Sequence, residues 1–329
     1  MNELKKIEKI GLYDEVDKSF KYLSFSLVDY RNNYFTSNSL NKIEEFYEGF
    51  ENREELIKWM MERPKGFPII HSIEGDSEII IVIPTADFNG KFAKECREKI
   101  FKGVKIIFIE SGSNKDFYFN FAHYVNTGIS RAMQYNPKWI IFSGDDMYKI
   151  DDITKLNRQL STFDADVVDM VYTRPSRYHS IPVCLGKSRI LRNLAFLMVL
   201  RRKKQLDLER RFKVSFFSYP RCRLNKFFFN CYFKYTAIAT FAIFSRKLIL
   251  SLDKKPYDET YINAAEDIDL DLRLNSKIIK TVEIDYKIGD YIGSTLGNNN
   301  NRRMREISGY TLLNYKIERG IISLRQTIS

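Results

Sequence analysis

The chain has 329 residues, with 53 Lys and Arg against 42 Asp and Glu, a net charge of +11. Its 44% apolar and 29% charged residues exclude a wholly disordered chain, and its length allows one large or two modest domains with a sizeable core. Four scattered cysteines (Cys96, Cys184, Cys222, Cys231) without a CxxC pair exclude a disulfide scaffold and a zinc ribbon. Three histidines (His71, His123, His179) without ligand spacing argue against a His-built metal site.

In chain order, residues 1–75 read as a polar, helical N-terminal extension. Asn41-Lys-Ile-Glu-Glu-Phe-Tyr and Arg53-Glu-Glu-Leu-Ile-Lys-Trp-Met-Met-Glu-Arg both have helical spacing, and Pro64 ends the second. No chemistry is visible there; a cap on the main domain is the expected role. At Glu78 the texture changes. Ile79-Ile-Ile-Val-Ile-Pro-Thr is a short continuous apolar run, as in a strand buried on both faces. A helix follows over 91–101. Val104-Lys-Ile-Ile-Phe-Ile-Glu-Ser is a second buried strand, closed by Gly112. Ala122, Val125, Ile129, Ala132 and Met133 recur at helical spacing, and Pro137 stops that helix. Trp139-Ile-Ile-Phe-Ser is a third strand and ends in Gly144-Asp145-Asp146. Asp151-Asp-Ile-Thr opens a helix with acids at its N-terminus, where the helix dipole favours them. Residues 166–172 read as a fourth strand.

Strands alternating with helices predict an α/β fold: a mixed, mostly parallel sheet flanked by helices. Ligands of such sheets bind outside the carboxyl ends of the strands. Three of these ends carry suggestive groups: Thr85, Glu110-Ser111 and Asp145-Asp146. Adjacent carboxylates after an apolar strand are costly if buried and unpaired. They fit either a strand-end turn with a helix cap or a site for Mg²⁺ or Mn²⁺, which prefers oxygen ligands and shares them with substrate phosphates. There is no GxxxxGK[ST] loop. A second acidic cluster, Glu266-Asp267-Ile268-Asp269-Leu270-Asp271, opens a helix with Ile268 and Leu272 as its expected buried stripe. Helix-dipole placement accounts for some of these acids; a general base at the helix start is the other reading.

The charge is concentrated. Between Lys187 and Lys234 stand 14 Lys and Arg and two acids, Asp207 and Glu209, so this window holds +12. It is also aromatic, with Phe196, Phe212, Phe216, Phe217, Tyr219, Phe227, Phe228, Phe229, Tyr232 and Phe233. Such a stretch suits an anionic membrane surface, a polyanion such as nucleic acid, or a solvated face over a core side. The longest clean apolar runs, Leu194–Leu200 and Thr236–Phe244, fall far short of the roughly 20 residues that span a bilayer. The N-terminus is charged with no apolar h-region behind it, so an intracellular, cytoplasmic location with reduced thiols is expected.

From about Glu78 to Leu296 the order of motifs resembles the inverting glycosyltransferases of the GT-A fold, family 2. Ile83-Pro84-Thr85 is similar to that family's first-strand segment, and Ile109-Glu110-Ser111-Gly112-Ser113 to its acidic nucleobase segment. Val125-Asn126-Thr127-Gly128-Ile129 resembles its N-x-G-I helix, and Ser143-Gly144-Asp145-Asp146 its DxD-type motif. Tyr257-Asp258-Glu259 followed by Glu266-Asp267-Ile268-Asp269-Leu270 and Arg273-Leu274 resembles its FDE and EDxDLxxRL segments. The resemblance implies a catalytic domain over 76–297 with 187–234 as a basic aromatic insert, and a loop and helix or tail over 298–329.

The activity it implies is metal-dependent transfer of a hexosyl or deoxyhexosyl group from a nucleotide-sugar donor to an acceptor hydroxyl, with inversion. Asp267 is the implied catalytic base. Pro84, Thr85, Glu110, Asn126, Asp145 and Asp146 are the implied donor-binding residues, with Asp146 a ligand of Mg²⁺ or Mn²⁺. Glu266, Asp269 and Arg273 are the implied acceptor or supporting residues. There are three departures. Gly144 replaces the first acid of a strict DxD, Glu110 stands where Asp is usual, and no His follows the catalytic helix. At the matching place stands Ile288-Gly289-Asp290-Tyr291-Ile292-Gly293-Ser294, and Asp290 is expected to substitute as an oxygen ligand. The acceptor is expected to be a glycan or a lipid-linked molecule, with 187–234 resting on the inner membrane face and nucleic acid disfavoured. Two other readings stay open: a nucleotidyltransferase on a related sheet, and a non-catalytic polyanion- or membrane-binding protein on a degenerate version of the fold.

Overall fold

The structure, a computed structural model, describes residues 29–111, 118–173, 177–180, 203–214, 232–235, 241–262, 264–277, 279–291 and 300–322. The strands are β1 (Ile69–Ile73), β2 (Asp76–Thr85), β3 (Val104–Glu110), β4 (Trp139–Ser143), β5 (Met147–Lys149), β6 (Met170–Tyr172), β7 (Arg177–Ser180), β8 (Tyr232–Tyr235), β9 (Phe241–Ser245), β10 (Thr281–Glu283) and β11 (Ile288–Asp290). The helices are α1 (29–36), α2 (Leu40–Glu48), α3 (Arg53–Glu62), α4 (Lys91–Glu95), α5 (Phe121–Ala132), α6 (Ile153–Leu160), α7 (Lys203–Arg211), α8 (Arg246–Ser251), α9 (Glu266–Asn275) and α10 (Asn300–Glu318).

Seven strands form one mixed sheet in the order β1-β3-β2-β4-β9-β6-β10. β3, β2 and β4 are parallel neighbours; β9 runs antiparallel to both β4 and β6, and β10 is parallel to β6. Only β1 and β9 oppose the other five, because β1 is antiparallel to β3. The expected mixed, mostly parallel sheet is therefore present. β5 with β11 and β7 with β8 form two small antiparallel ladders.

The continuous apolar runs are buried on both faces, as strand alternation requires. Ile79, Ile81, Ile83, Ile106, Phe108, Trp139, Ile141 and Ile243 pack with Cys96, Ile100, Leu156 and Tyr286 on one face. Ile80, Val82, Ile107, Ile109, Ile140, Phe142 and Phe244 pack with Val125, Ile129, Ile249, Leu270 and Leu274 on the other. Gly128 lets α5 approach that second face. A Cβ there would lie 2.4 Å from Val82 Cγ1 and 2.8 Å from Ile109 Cγ1.

A third core is helical. Phe46, Tyr47, Leu56 and Trp59 of α2 and α3 meet Leu208 of α7, Phe212, Leu272 of α9, and Met304, Ile307, Leu312 and Leu313 of α10. The helices expected in the N-terminal segment are present, and Asn52 caps α3 by accepting from Glu55 N at 3.0 Å. One departure follows: residues 69–73, inside the segment expected to be helical, form edge strand β1. The C-terminal segment, expected as a loop and a helix or tail, contains the 19-residue helix α10, which packs into this core.

The helix expected over 91–101 is a short α-helix continued by a π-turn, Cys96–Ile100. The fourth strand is shorter than expected, Met170–Tyr172. Most of the basic aromatic window, including the helix expected over 189–202, lies outside the described residues, as do Gly112, Ser113 and residues 292–299. Within the described part, Phe212 is fully buried in the helical core rather than presented to a surface. Lys204 pairs with Glu44 at 3.1 Å and Glu48 at 2.9 Å. No helix among the described residues is long and apolar enough to cross a membrane.

Candidate functional site

Parallel β2, β3 and β4 end along one edge of the sheet. Thr85 stands opposite Glu110 in the β2–β3 register. Thr85 Oγ1 lies 2.8 Å from Asp145 Oδ2, so residues 60 positions apart meet directly after the strands end. Asp145 is 8% exposed. Burial pushes its carboxyl above the ordinary range and the charge of Asp146 adds to the rise, while the Thr85 hydrogen bond opposes it. Cys96 of the π-turn donates its thiol to the Asp145 carbonyl oxygen at 3.3 Å, which seats the acidic turn on the helix below. Burial, then the Asp145 charge, hold that thiol well above its ordinary value, so it stays protonated.

Asp146 is half-buried, and its carbonyl oxygen accepts from Tyr291 N at 2.9 Å. In the small ladder, Asp290 stands opposite Met147, the residue after Asp146. Gly289 permits this pairing: a Cβ there would lie 2.0 Å from the Tyr148 ring. The backbone thus brings the segment of Asp290 beside that of Asp146. Among the described residues no group of three or more His, Cys, Asp or Glu side chains is gathered to hold a metal ion.

Glu110 is held on both oxygens. Oε1 accepts from Phe88 N at 3.0 Å, and Oε2 lies 2.7 Å from His71 Nε2. Pro84 is half-buried within β2, opposite Ile109. Asn126 is 1% exposed, and its amide is committed to the protein. It donates to Tyr257 O at 2.8 Å and Glu259 Oε1 at 3.1 Å, and accepts from Tyr257 N at 3.1 Å. The position expected to touch a donor therefore ties α5 to the 257–259 loop.

The acidic helix α9 starts from Ala265, whose φ of 68° lies in the left-handed region. Ala264 packs under α10, where a Cβ on Gly309 would lie 2.2 Å from Ala264 O. Leu270 and Leu274 of α9 are buried against the sheet, and Leu272 is buried in the helical core. Ile268 of the expected stripe is only half-buried, while Asp269 and Asp271 are buried. Asp269 lies at the centre of an ionic network. Its Oδ1 accepts from Arg273 Nε at 2.6 Å, and its Oδ2 accepts from Tyr261 Oη at 3.0 Å and Lys316 Nζ at 2.6 Å. Lys316 also binds Asp258. Arg273 further donates to Pro256 O at 2.5 Å. Asp269, fully buried, supports the loop and helix, and Arg273 joins it with its side chain 29% exposed.

Glu266 and Asp267 differ in surroundings. Glu266 is 9% exposed, and its Oε2 has no hydrogen-bond partner among the described residues. Burial, and then the Asp267 charge, push its carboxyl up to about 8; Glu306 adds to the rise and Arg302 opposes it. Asp267 is half-buried and accepts from Ile268 N at 2.9 Å. Tyr257 links this end to β4: its ring lies 6.1 Å from that of Phe142, and the charges of Asp267 and Glu266 add to burial in holding its phenol up.

Sequence reading assigned no role to His71, Phe88 or Lys316, and named Tyr257 only within its FDE-like segment. Of those three, Lys316 left a signal, a cation in the mainly apolar stretch 310–317. A groove of about 360 Å³, lined by Asp76, Glu78, Lys138, Trp139 and Asn157 among others, opens at the start of β2 and β4, the opposite end from the carboxylates. No protein-family model matches the chain, and no curated protein matches it in sequence.

Proposed function

We propose that the chain is a GT-A, family 2-like inverting glycosyltransferase that moves a sugar from a nucleotide-sugar donor to an acceptor hydroxyl. The observation that carries the reading is the Thr85–Asp145 hydrogen bond at the carboxyl ends of parallel strands. It joins two of the segments on which the resemblance rests, at the edge where α/β sheets bind ligands.

Asp146 and Asp290 would hold Mg²⁺ or Mn²⁺ together with the donor diphosphate. When bound, such a cation offsets the negative charge that builds on the leaving nucleoside diphosphate. Thr85 orients Asp145 toward the donor, and Glu110 faces the nucleobase. At the start of α9, Glu266 keeps its proton at neutral pH, which spares Asp267 a second adjacent charge. Asp267 accepts the proton of the acceptor hydroxyl as its oxygen bonds to the anomeric carbon. The bond from that carbon to the diphosphate oxygen breaks on the opposite side, so the configuration inverts. A glycan or lipid-linked acceptor, brought by residues 187–234 to the cytoplasmic membrane face, is part of the same proposal.

Thermal denaturation of the wild type and Asp146→Ala with sugar nucleotides, with and without Mn²⁺, tests the reading. A ligand bound only by the folded state raises the midpoint by mass action. A Mn²⁺-dependent rise in the wild type that Asp146→Ala loses is expected. No rise with any sugar nucleotide would overturn the reading.

A further inference from the structure

Two aromatic side chains stand at the acidic turn without a part in the proposed chemistry. Tyr148 lies on β5, two residues after Asp146, and Tyr291 directly follows Asp290 at the end of β11. Their rings are neighbours, with centroids 5.0 Å apart and planes inclined at 50°. Both are held by the protein. The Tyr148 ring lies over Gly289, where a Cβ would come 2.0, 2.3 and 2.4 Å from three of its carbons. Phe92 of α4 flanks Tyr291, with centroids 6.2 Å apart. The Tyr291 amide donates to Asp146 O at 2.9 Å, which pins its backbone to the acidic turn. Yet Tyr148 and Tyr291 remain 37% and 45% exposed.

Covering a cross-strand glycine is a structural task that accounts for Tyr148. It does not account for Tyr291, the more exposed of the two. Single exposed apolar side chains need no explanation. Two adjoining tyrosines, fixed in orientation at the rim of a carboxylate pair, form a shelf. A tyrosine ring has an electron-rich face and a hydroxyl that both donates and accepts. The matching ligand has a flat face of weakly positive C–H groups and a rim of hydroxyls, and a pyranose ring has both. The surroundings decide against the other partner that exposed aromatics enter, an anionic bilayer. Asp146 and Asp290 adjoin the shelf, and their charge repels lipid phosphates. Lys149, beside Tyr148, is engaged by Asp152 at 2.6 Å. A neutral sugar meets no such repulsion, and rings already held in place add little ordering cost on binding.

We propose that Tyr148 and Tyr291 form a stacking shelf for a pyranose ring, so that the acceptor is a glycan recognised through its sugar residues. The inference rests on the transferase reading in calling this glycan the acceptor. Stacking itself needs neither metal nor nucleotide.

The test is saturation-transfer NMR and calorimetric titration of the full chain with cellotetraose, N-acetylchitotetraose and maltotetraose, in EDTA and without nucleotide. Sorbitol serves as a polyol without a ring face. At least one of the three oligosaccharides should bind saturably, with saturation reaching its ring C–H protons, and sorbitol should not bind. Tyr291→Ala should weaken that binding at least about fivefold, as truncation of an aromatic anchor does. Tyr291→Phe, which keeps the ring, should retain most of it. If Tyr291→Ala fails to fold, Tyr291→Leu, apolar but without a ring face, decides on the same criterion. Undiminished binding in the ring-less variant would overturn the inference. So would phosphatidylcholine–phosphatidylserine vesicles that the wild type binds and Tyr291→Ala releases while no oligosaccharide binds. A Mn²⁺-dependent midpoint rise with a sugar nucleotide, without binding of any oligosaccharide, would overturn this inference and leave the transferase reading standing. Ring-dependent oligosaccharide binding without any such rise would sustain the shelf and overturn the transferase reading.

Discussion

Removing the Lys316 ammonium should loosen the helix that carries the proposed base. Its Nζ lies 2.6 Å from Asp269 Oδ2, binds Asp258, and stands 4.7 Å from the centroid of the Tyr261 ring. The Lys316 and Asp269 side chains are 11% and 0% exposed, so this pair is dry. Breaking a buried pair by deleting one partner costs about 3–5 kcal/mol, since the other charge stays buried. In Lys316→Met, Asp269 keeps Arg273 at 2.6 Å and Tyr261 at 3.0 Å, which places the cost near the low end, about 3 kcal/mol. At roughly 2–4 °C per kcal/mol for a large domain, Tm should fall by about 6–12 °C.

The acid limb checks the same bridge. Burial by itself would raise Asp258, but the Lys316 charge and hydrogen bond outweigh it and hold the carboxyl below its ordinary value. A depressed carboxylate contributes stability that is present above its unfolded value, near pH 4, and is lost as pH falls through the folded value. Lys316→Met should therefore show a shallower loss of Tm on acidification. A Tm change under about 2 °C, or an unchanged acid limb, would refute the assignment of this network as the anchor of α9.

Two further outcomes are expected. Glu266→Gln should gain stability over the wild type as pH rises. The native carboxyl is raised to about 8 by burial and Asp267, so its contribution is fully present below the unfolded value and is lost as pH climbs from about 4.5 toward 8. The Tm difference should widen across that window and flatten beyond it, and a constant difference would contradict the burial of Glu266. Gly128→Ala should destabilise by about 1–3 kcal/mol in urea, the usual cost of overpacking, because its methyl would press Val82 and Ile109.

The centre of the sheet was legible because β2, β3 and β4 are continuous runs of Ile, Val and Phe with both faces buried. β1 was not. Its exposure pattern along Ile69–Ile73 is that of an edge strand with no fully buried position, and Ile-Ile-His-Ser-Ile has no clear period. The acids at the carboxyl ends were legible as a set, since topology places parallel strand ends together. What each side chain touches was not. Asn126 reads as a ligand group in a motif, yet its amide closes a backbone gap at Tyr257. The stripe on α9 was read only in part for a related reason: Ile268 and Leu272 do pack on the helical core, while Leu270 and Leu274 face the sheet. A helix buried on two sides has no single apolar face to reveal its orientation.

That two-sided burial assigns a role to the parts of the chain that carry no motif. α9 leaves Ala265 in a left-handed turn, which a non-glycine residue holds only when its surroundings enforce it. The enforcing contacts come from α10. Gly309 lets its backbone touch Ala264, and about two turns further on, Lys316 grips Asp269 and Asp258. α10 is in turn seated on α2 and α3, where Tyr47 donates to Met304 O at 2.7 Å and Arg53 pairs with Glu318 at 2.5 Å. The direction in which Glu266 and Asp267 leave the helix start is thus set through a chain of contacts from the N-terminal helices to the C-terminal one. Residues near both ends of the sequence, far from either acidic segment, hold the acidic helix in place.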